Sequence, residues 1–175
     1  MRVLVIVLAL AGGAWWLLSG PSNEPLKTAE LPTLGLDAYR HAPRGASHPC
    51  QGARRCLVVY IAPWCSACKR SMPLMNRLEE RLADHPDAGM VAVMGTLGRS
   101  WEGRDRMANR IDMPLYLDTD GAFWDNSDGD LTGTPAWIAY DGAGDVIGTM
   151  NGGYPRDGRK YQDETLARVG LGDLT

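Results

Sequence analysis

The sequence has no segment in which positive charge is concentrated. Its 18 Lys and Arg residues are scattered along 175 residues, and 21 Asp and Glu residues bring the formal net charge to -3. This distribution argues against nucleic-acid binding, which needs a basic patch or stripe. Internal repeats are also absent. Hydrophobic residues make up 45% of the chain and charged residues 22%, proportions that are typical of a globular protein. They exclude a disordered, collagen-like or coiled-coil chain.

Cysteine is scarce as well. Four cysteines are too few to form a disulfide scaffold in a chain of 175 residues. All of them lie between Cys50 and Cys68, so their clustering indicates local chemistry. Cys50 and Cys56 enclose five residues, and in an oxidising compartment this spacing favours a structural disulfide. Two alternatives stay open: a second redox pair that exchanges with the active site, and a metal site that includes His48.

Residues 1–20 form a predicted membrane anchor. Arg2 precedes an uncharged stretch that continues to Asn23, and the apolar part of this stretch ends near Trp15 and Trp16. Paired Trp residues are typical of the membrane interface, so we expect an uncleaved anchor, with a removed signal peptide as the alternative. The positive-inside rule then places the rest of the chain outside the inner membrane, in a periplasmic or other extracytoplasmic compartment. Such a compartment tolerates disulfides.

The segment 21–49 is the predicted linker. It contains five of the eleven Pro residues and shows little periodicity, which favours an extended tether. Apolar residues such as Leu36 and Tyr39 allow part of it to pack along the surface of the folded part. The folded domain itself is expected over residues 50–175.

The second cysteine pair lies where a predicted strand is followed by a predicted helix. The run LVVYIA, residues 57–62, is continuously apolar, as expected for a strand buried on both faces of a sheet. Pro63 follows, and then comes the segment Trp64-Cys65-Ser66-Ala67-Cys68. Beyond it, apolar residues recur at helical spacing to about Ala83. Cys65 therefore begins a helix, and Cys68 lies one turn further along it.

This position favours disulfide exchange. Unpaired backbone N–H groups and the positive end of the helix dipole lower the pKa of a cysteine at a helix N-terminus. Cys65 is therefore predicted to attack a substrate disulfide, and Cys68 to resolve the mixed disulfide. We predict no bound cofactor and no metal site. The alternatives are a purely structural disulfide, half of a zinc knuckle, and a non-enzymatic protein that binds copper(I) through the two sulfurs.

Three features over residues 56–171 resemble the thioredoxin superfamily. One is the Trp-Cys-Ser-Ala-Cys segment between strand and helix, and another is Pro73, eight residues after the first cysteine. The third is Gly133-Thr134-Pro135 directly before the strand AWIAY, which resembles the cis-proline loop of that family. The order of strands and turns after Met113 resembles the membrane-anchored TlpA and ResA type. The resemblance implies an α/β thioredoxin fold, with a central mixed β-sheet flanked by helices and preceded by a transmembrane helix and linker.

The resemblance also implies which residues contact the substrate. Pro135 is expected beside Cys65, and the backbone of Thr134 is expected to pair with an extended substrate segment. We expect Trp64 to shield the disulfide. The implied partners are disulfide-containing protein substrates and a membrane electron donor of the thiol-disulfide type, with the inner membrane contacted through the N-terminal helix.

One departure from the family pattern concerns proton transfer. Related reductases bury an acid six positions before the first cysteine, and here that position is Val59. Glu102, Asp130 or water would then have to accept the proton of the resolving thiol. Between the cysteines, Ser66 and Ala67 add no cation, which predicts a weakly oxidising pair and hence a protein-disulfide reductase. The Thr-Pro pair also resembles the loop of disulfide isomerases, which is the second functional interpretation.

Overall fold

A computed structural model describes residues 36–41, 50, 53–127 and 131–175. The predicted anchor, most of the predicted linker and Asp130 lie outside the described residues. Among the residues that are described, no helix combines the length and the apolar character needed to cross a membrane. Anchoring through residues 1–20 therefore stays a prediction.

Six strands form one mixed sheet within the described part of the chain. They are β1 (Leu36–Arg40), β2 (Arg55–Ile61), β3 (Ala88–Gly95), β4 (Leu115–Asp118), β5 (Ala136–Asp141) and β6 (Val146–Asn151). Their spatial order is β1-β4-β3-β2-β5-β6. Strands β2, β3 and β4 run parallel, whereas β1, β5 and β6 pair antiparallel with their neighbours. The predicted central mixed sheet is confirmed.

Helices follow strands β2, β3, β4 and β6. They are α1 (Ser66–Ala83), α2 (Arg104–Ala108), α3 (Ala122–Asp125) and α4 (Arg159–Arg168), with a final 3-10 turn at Gly172–Leu174. The predicted end of α1 is confirmed. Helix α2 begins only after Gly103, which has a left-handed backbone with φ of 81°.

Strand β2 is buried on both faces, which accounts for its uninterrupted apolar sequence. Alternate residues of a strand point to opposite faces of the sheet. One set of β2 residues faces α1: Leu57, Val59 and Ile61. These pack against apolar residues that recur at helical spacing in α1: Leu74, Met75, Leu78 and Leu82. The other set packs with Phe123 of α3 on the far face: Val58 and Tyr60. Helices thus cover both faces of the sheet.

The sheet extends into the segment that the sequence assigned to the linker. Strand β1 pairs antiparallel with β4, with Leu36 opposite Asp118. Its three central residues are exposed, so β1 is an edge strand with little buried surface. Any tether must therefore end by Leu36, and the rest of that segment up to residue 40 belongs to the folded domain.

Candidate thiol-disulfide site

Cys65 caps the N-terminus of α1. Its backbone is extended, with φ of -72° and ψ of 109°, and its Sγ accepts a hydrogen bond from the backbone N–H of Cys68. The donor and acceptor atoms are 2.9 Å apart. The first N–H groups of a helix have no acceptor within the helix, and this one is satisfied by sulfur. A donor aimed at Sγ favours the thiolate over the thiol once the disulfide is reduced.

Cys65 and Cys68 form a disulfide in this structure. Their Cα atoms are 5.3 Å apart, within the usual range for a bonded pair. Cys65 keeps 4% of its accessible surface and Cys68 keeps none. Cys65 is therefore the more accessible residue of the two, which is the order that the predicted attacking and resolving roles require.

The loop before β5 lies against Cys65. The Thr134–Pro135 peptide bond is cis, and the carbonyl oxygen of Thr134 lies 3.3 Å from Sγ of Cys65. In the dithiol form, the Cys65 thiol can donate a hydrogen bond to that oxygen. The structure thus brings together the cysteines and the Thr-Pro pair that the sequence singled out.

The connection after β6 holds this loop in place. The backbone N–H of Gly152 donates to the carbonyl oxygen of Pro135 at 2.7 Å. The indole Nε1 of Trp137 in turn donates to the carbonyl oxygen of Gly152, also at 2.7 Å. The next residue, Gly153, has no room for a side chain, because a Cβ there would overlap the Ser71 hydroxyl. Contacts with β5, with the connection after β6 and with α1 therefore hold the cis-proline loop in position.

Trp64 borders the site on the side of β3. It is half-buried, and its Nε1 donates to the carbonyl oxygen of Thr96 at 2.8 Å. The guanidinium carbon of Arg99 lies 4.2 Å from the centre of the Trp64 ring, a cation–π arrangement. The indole of this residue, which directly precedes Cys65, thus has a fixed orientation; that it shields the disulfide stays a prediction.

Pro73 changes the hydrogen bonding at the start of α1. Proline has no N–H, so the carbonyl oxygen of Lys69, four residues earlier, lacks its helical donor. Nη2 of Arg110 lies 3.3 Å from that oxygen and donates to it. The carbonyl that Pro73 leaves without a helical donor is therefore satisfied by a guanidinium group.

No buried acid lies beneath the cysteines among the described residues. Val59 is fully buried on the α1 face, and Glu102 is exposed. Asp118 is the buried acid of the described part of the chain. It accepts a hydrogen bond from the hydroxyl of Tyr60, on the opposite face of the sheet from the cysteines. Of the two acids considered from the sequence, Glu102 does not reach a buried position and Asp130 lies outside the described residues.

Cys50 and Cys56 form a second disulfide at the other end of β2. Their Cα atoms are 5.4 Å apart, and the two residues are 0% and 1% exposed. They pack on the face of the sheet opposite to the other pair. Strand β2 separates Cys56 from Cys65 by roughly 20 Å at the usual rise per residue. This separation argues against direct exchange between the pairs and favours the structural role.

Three residues that contact the surroundings of the cysteine pair could not be identified from the sequence. Arg99 lies over the Trp64 ring, Arg110 donates to the carbonyl of Lys69, and Ser71 packs against Gly153. Local patterns do not predict these contacts. Two weak signals existed. Pro73 within a helix leaves a carbonyl that needs a donor, and the paired glycines after β6 indicate a close approach of backbone.

Comparison with known proteins identifies the fold. No protein-family model matches the chain, and no curated protein matches it. A thioredoxin-like protein solved in its oxidised form is 22% identical, with a TM-score of 0.57, and the match covers 85% of this chain and 97% of that one. A thioredoxin-like protein from Porphyromonas gingivalis is 18% identical, with a TM-score of 0.54 and coverage of 84% and 94%.

A further solved structure is described as a putative thiol:disulfide interchange protein DsbE from Chlorobium tepidum. It is 19% identical, with a TM-score of 0.50, and the match covers 67% of this chain and 82% of that one. Together these similarities show that the chain has a mixed α/β, thioredoxin-like fold. The predicted α/β thioredoxin-like fold is confirmed, and Cys65 and Cys68 form a CxxC pair at the start of the first helix among the described residues.

Proposed function

We propose that the protein is an extracytoplasmic thiol-disulfide oxidoreductase that reduces protein disulfides through Cys65 and Cys68. One observation carries this proposal: Sγ of Cys65 accepts the Cys68 N–H at the helix N-terminus and lies 3.3 Å from the carbonyl of Thr134. The Cys68 N–H favours a thiolate at Cys65, and the position of the Thr134 carbonyl puts that sulfur next to a loop with which an extended polypeptide can pair.

In the reduced enzyme, the Cys65 thiolate attacks one sulfur of the substrate disulfide. A new S–S bond joins Cys65 to the substrate, and the other substrate sulfur leaves as a thiolate that takes a proton from solvent. The Cys68 thiol then loses its proton and attacks Sγ of Cys65. This step forms the Cys65–Cys68 disulfide and releases the second substrate thiolate. Two electrons pass from the enzyme to the substrate.

The oxidised enzyme needs a dithiol reductant before it can act again. A membrane electron donor of the thiol-disulfide type would attack the Cys65–Cys68 disulfide by the same chemistry in reverse. The anchor predicted over residues 1–20 would hold both proteins at the inner membrane, and the domain would lie in an oxidising compartment. The buried Cys50–Cys56 disulfide supports that location.

The reducing direction follows from the residues between the cysteines. Ser66 is exposed and Ala67 is half-buried, and neither places a cation beside Sγ of Cys65. Weak stabilisation of the reduced form gives a less oxidising couple. We therefore expect a reduction potential near that of thioredoxin, about -270 mV, and a value near that of DsbA, about -120 mV, would contradict the direction.

Trapping of the mixed disulfide tests the exchange mechanism. The Cys68→Ser variant should accumulate covalent adducts with protein substrates, because Cys65 still attacks and no resolving thiol remains. The Cys65→Ser variant is the matched control and should trap nothing. Adducts must disappear on treatment with dithiothreitol. Absence of adducts in both variants, together with copper(I) bound by the wild-type dithiol, would favour the metal-binding alternative.

A further inference from the structure

We propose that the end of the sheet that carries Cys65 faces the membrane, and that the redox pair exchanges there with a membrane protein whose cysteines lie at the lipid surface. This orientation rests on the proposed function, including the anchor over residues 1–20. It adds the direction from which the partner approaches, and it depends on where the chain enters the folded domain.

The chain enters the sheet at the carboxyl end of the parallel strands. Strand β1 is antiparallel to β4, and its first residue, Leu36, lies opposite Asp118, the last residue of β4. The last residue of β1, Arg40, lies opposite Leu115, the first residue of β4. The predicted tether therefore reaches the domain where β4 ends, and β1 then runs towards the other end of the sheet.

The redox pair lies at that same end. Strand β3 is parallel to both of its neighbours, and its last residue, Gly95, pairs with Asp118 of β4. The last residue of β2, Ile61, pairs with Met94 of β3. Cys65 follows four residues later, at the start of α1. Strands β1 and β2 are three strand spacings apart, or about 14 Å across the sheet.

Other features mark the opposite end of the sheet. The Cys50–Cys56 disulfide lies there, at the start of β2. The C-terminal turn lies there too, because Arg55, the first residue of β2, forms an ion pair with Asp173. Strand β3 has eight residues and separates the two ends by about 25 Å. The point of entry at Leu36 therefore belongs clearly to the redox end.

Side-chain contacts with α2 and the residue after it hold β1 in place. The hydroxyl of Tyr39 donates to the carboxylate of Asp105, and the guanidinium of Arg40 donates to the side-chain carbonyl of Asn109. The guanidinium carbon of Arg104 lies 5.0 Å from the centre of the Tyr39 ring. These contacts add to the backbone pairing with β4. The predicted tether thus joins the domain at a fixed point.

The length of the tether limits how the domain can turn. Residues 21–35 can span at most about 50 Å, and a flexible chain of this length has an r.m.s. end-to-end distance of about 20 Å. A domain made of residues 36–175 has a radius of gyration of about 14 Å and is about 37 Å across. Because the domain is wider than the mean reach of its tether, the lipid surface prevents it from turning over freely. The end that bears the tether stays nearer the membrane.

This position favours a redox partner in the same membrane. Two tethered sites meet at an effective concentration that reaches about the millimolar range for short flexible linkers, whereas a soluble protein gains nothing from the tether. In the exchange, a thiolate of the donor attacks Sγ of Cys65, and Cys68 leaves as a thiolate that takes a proton from solvent. The donor's second thiol loses its proton and displaces Cys65, which is protonated in turn. Two electrons pass from the donor, which ends as a disulfide, to the enzyme.

Energy transfer to labelled lipids tests the orientation. p-Azidophenylalanine is incorporated in place of Thr119, directly after β4, or of Asp87, directly before β3, and a donor dye is attached through the azide. Both residues are exposed, and neither belongs to the redox site. The full chain with either label is reconstituted in phosphatidylcholine vesicles that carry an acceptor dye on the lipid headgroups. We expect transfer at least about twofold more efficient from position 119 than from position 87, because the labels lie about 25 Å apart along the sheet.

Exchange with an anchored peptide tests the partner. A neutral peptide carries one cysteine capped as a mixed disulfide with 2-mercaptoethanol, and is used either free in solution or joined to a lipid in the same vesicles. At equal total concentration, the reduced full chain should react more than about tenfold faster with the anchored peptide. The rate with the free peptide also checks that each labelled chain is folded.

A longer tether provides the matched control. Insertion of about 45 Gly and Ser residues between residue 35 and Leu36 makes the tether about four times longer. The effective concentration falls as about the three-halves power of length, so the rate with the anchored peptide should fall by about eightfold. The rate with the free peptide should not change.

Equal transfer from the two positions, or higher transfer from position 87, would overturn the inference, and so would equal rates for the free and anchored peptides. Transfer from neither position would show that the chain is not held at the membrane, and would overturn the predicted anchor as well. Failure of the proposed redox function has a different signature: the order of transfer would hold, but neither peptide would exchange through Cys65.

Discussion

The backbone of Gly153 packs so closely against Ser71 that a Cβ at position 153 would overlap the serine hydroxyl. Ser71 lies on α1 one turn after Cys68 and is 1% exposed. The same Cβ would lie 3.1 Å from Cγ of Pro135. The glycine therefore sets how closely the connection after β6 approaches both the redox helix and the cis-proline loop.

The Gly153→Ala variant should displace the cis-proline loop. The added methyl group has to push the connection away from α1, which weakens the bond from the Gly152 N–H to the Pro135 carbonyl. We expect the free energy of unfolding to fall by about 1–3 kcal/mol, the usual cost of overpacking. The rate of disulfide exchange should fall as well, because the carbonyl of Thr134 no longer lies at its present distance from Cys65. Urea unfolding and exchange with a neutral peptide measure the two effects.

A second substitution separates steric overlap from other effects of the alanine. Ser71→Ala removes the hydroxyl that the new methyl group meets, so the Ser71→Ala/Gly153→Ala double variant should recover part of the lost stability and rate. Equal losses in the single and double variants would show that the contact with Ser71 does not limit the approach of the loop.

The parts of the fold that could be predicted from sequence depend on local patterns. Strand β2 and helix α1 were predicted because an unbroken apolar run and helical periodicity meet at Pro63. Strand β1 was not predicted, since three of its five residues are exposed and it shows little alternation. Its place in the sheet depends on pairing with β4, which no local pattern specifies.

The same distinction holds for the site. Cys65 and Cys68 carry chemistry in their residue types and spacing, so the sequence indicated them directly. The Thr134–Pro135 pair was indicated only by the resemblance to the thioredoxin superfamily. Arg99 and Arg110 were not indicated in this way, because an isolated arginine in a loop is usually only solvated. Arg99 gains its position from the Trp64 ring, and Arg110 from a carbonyl that Pro73 leaves without a donor. Both contacts join segments that lie far apart in the chain.

The Trp64→Phe variant should loosen the segment that carries Cys65. Phenylalanine keeps an aromatic face but cannot donate to the carbonyl of Thr96, so a part-buried hydrogen bond is lost. We expect the free energy of unfolding to fall by about 1 kcal/mol. Reaction of reduced Cys65 with iodoacetamide should become faster, since the aromatic cover of the site is less firmly held. Unchanged alkylation would contradict the shielding position assigned to Trp64.

Replacement of both cysteines in the Cys50–Cys56 pair should affect stability alone. The disulfide closes a short loop, and removal of such a cross-link costs about 2 kcal/mol in loop entropy. The Cys50→Ala/Cys56→Ala variant should therefore unfold at a lower urea concentration. Its reduction potential and its exchange rate through Cys65 should match those of the wild type. A shift in either redox property would support the alternative in which this pair exchanges electrons with the first.

Tyr60 is predicted to make the stability of the protein sensitive to alkaline pH. Its hydroxyl donates to the carboxylate of Asp118 at 2.8 Å. Burial, and then the negative charge of Asp118, raise the pKa of Tyr60 well above its usual range. In the unfolded chain a tyrosine titrates near pH 10.

Above that pH, the unfolded chain loses the Tyr60 proton while the native protein keeps it. The unfolded state then binds fewer protons, so the free energy of unfolding falls by about 1.4 kcal/mol per pH unit from this group. Below about pH 10 the contribution of Tyr60 is complete and does not vary with pH.

The Tyr60→Phe variant removes this pH dependence along with the hydrogen bond. At neutral pH it should be less stable by about 1–3 kcal/mol, since the buried carboxylate of Asp118 loses one of its donors. The Asp118 carboxylate keeps its hydrogen bonds from the backbone N–H groups of Phe123 and Trp124, with N···O distances of 3.1 and 3.2 Å. Urea unfolding from about pH 8 to about pH 11 should then show the wild-type and variant stabilities converging above pH 10. Curves that stay parallel over this range would mean that Tyr60 titrates at the same pH in both states, and that burial beside Asp118 does not hold its proton.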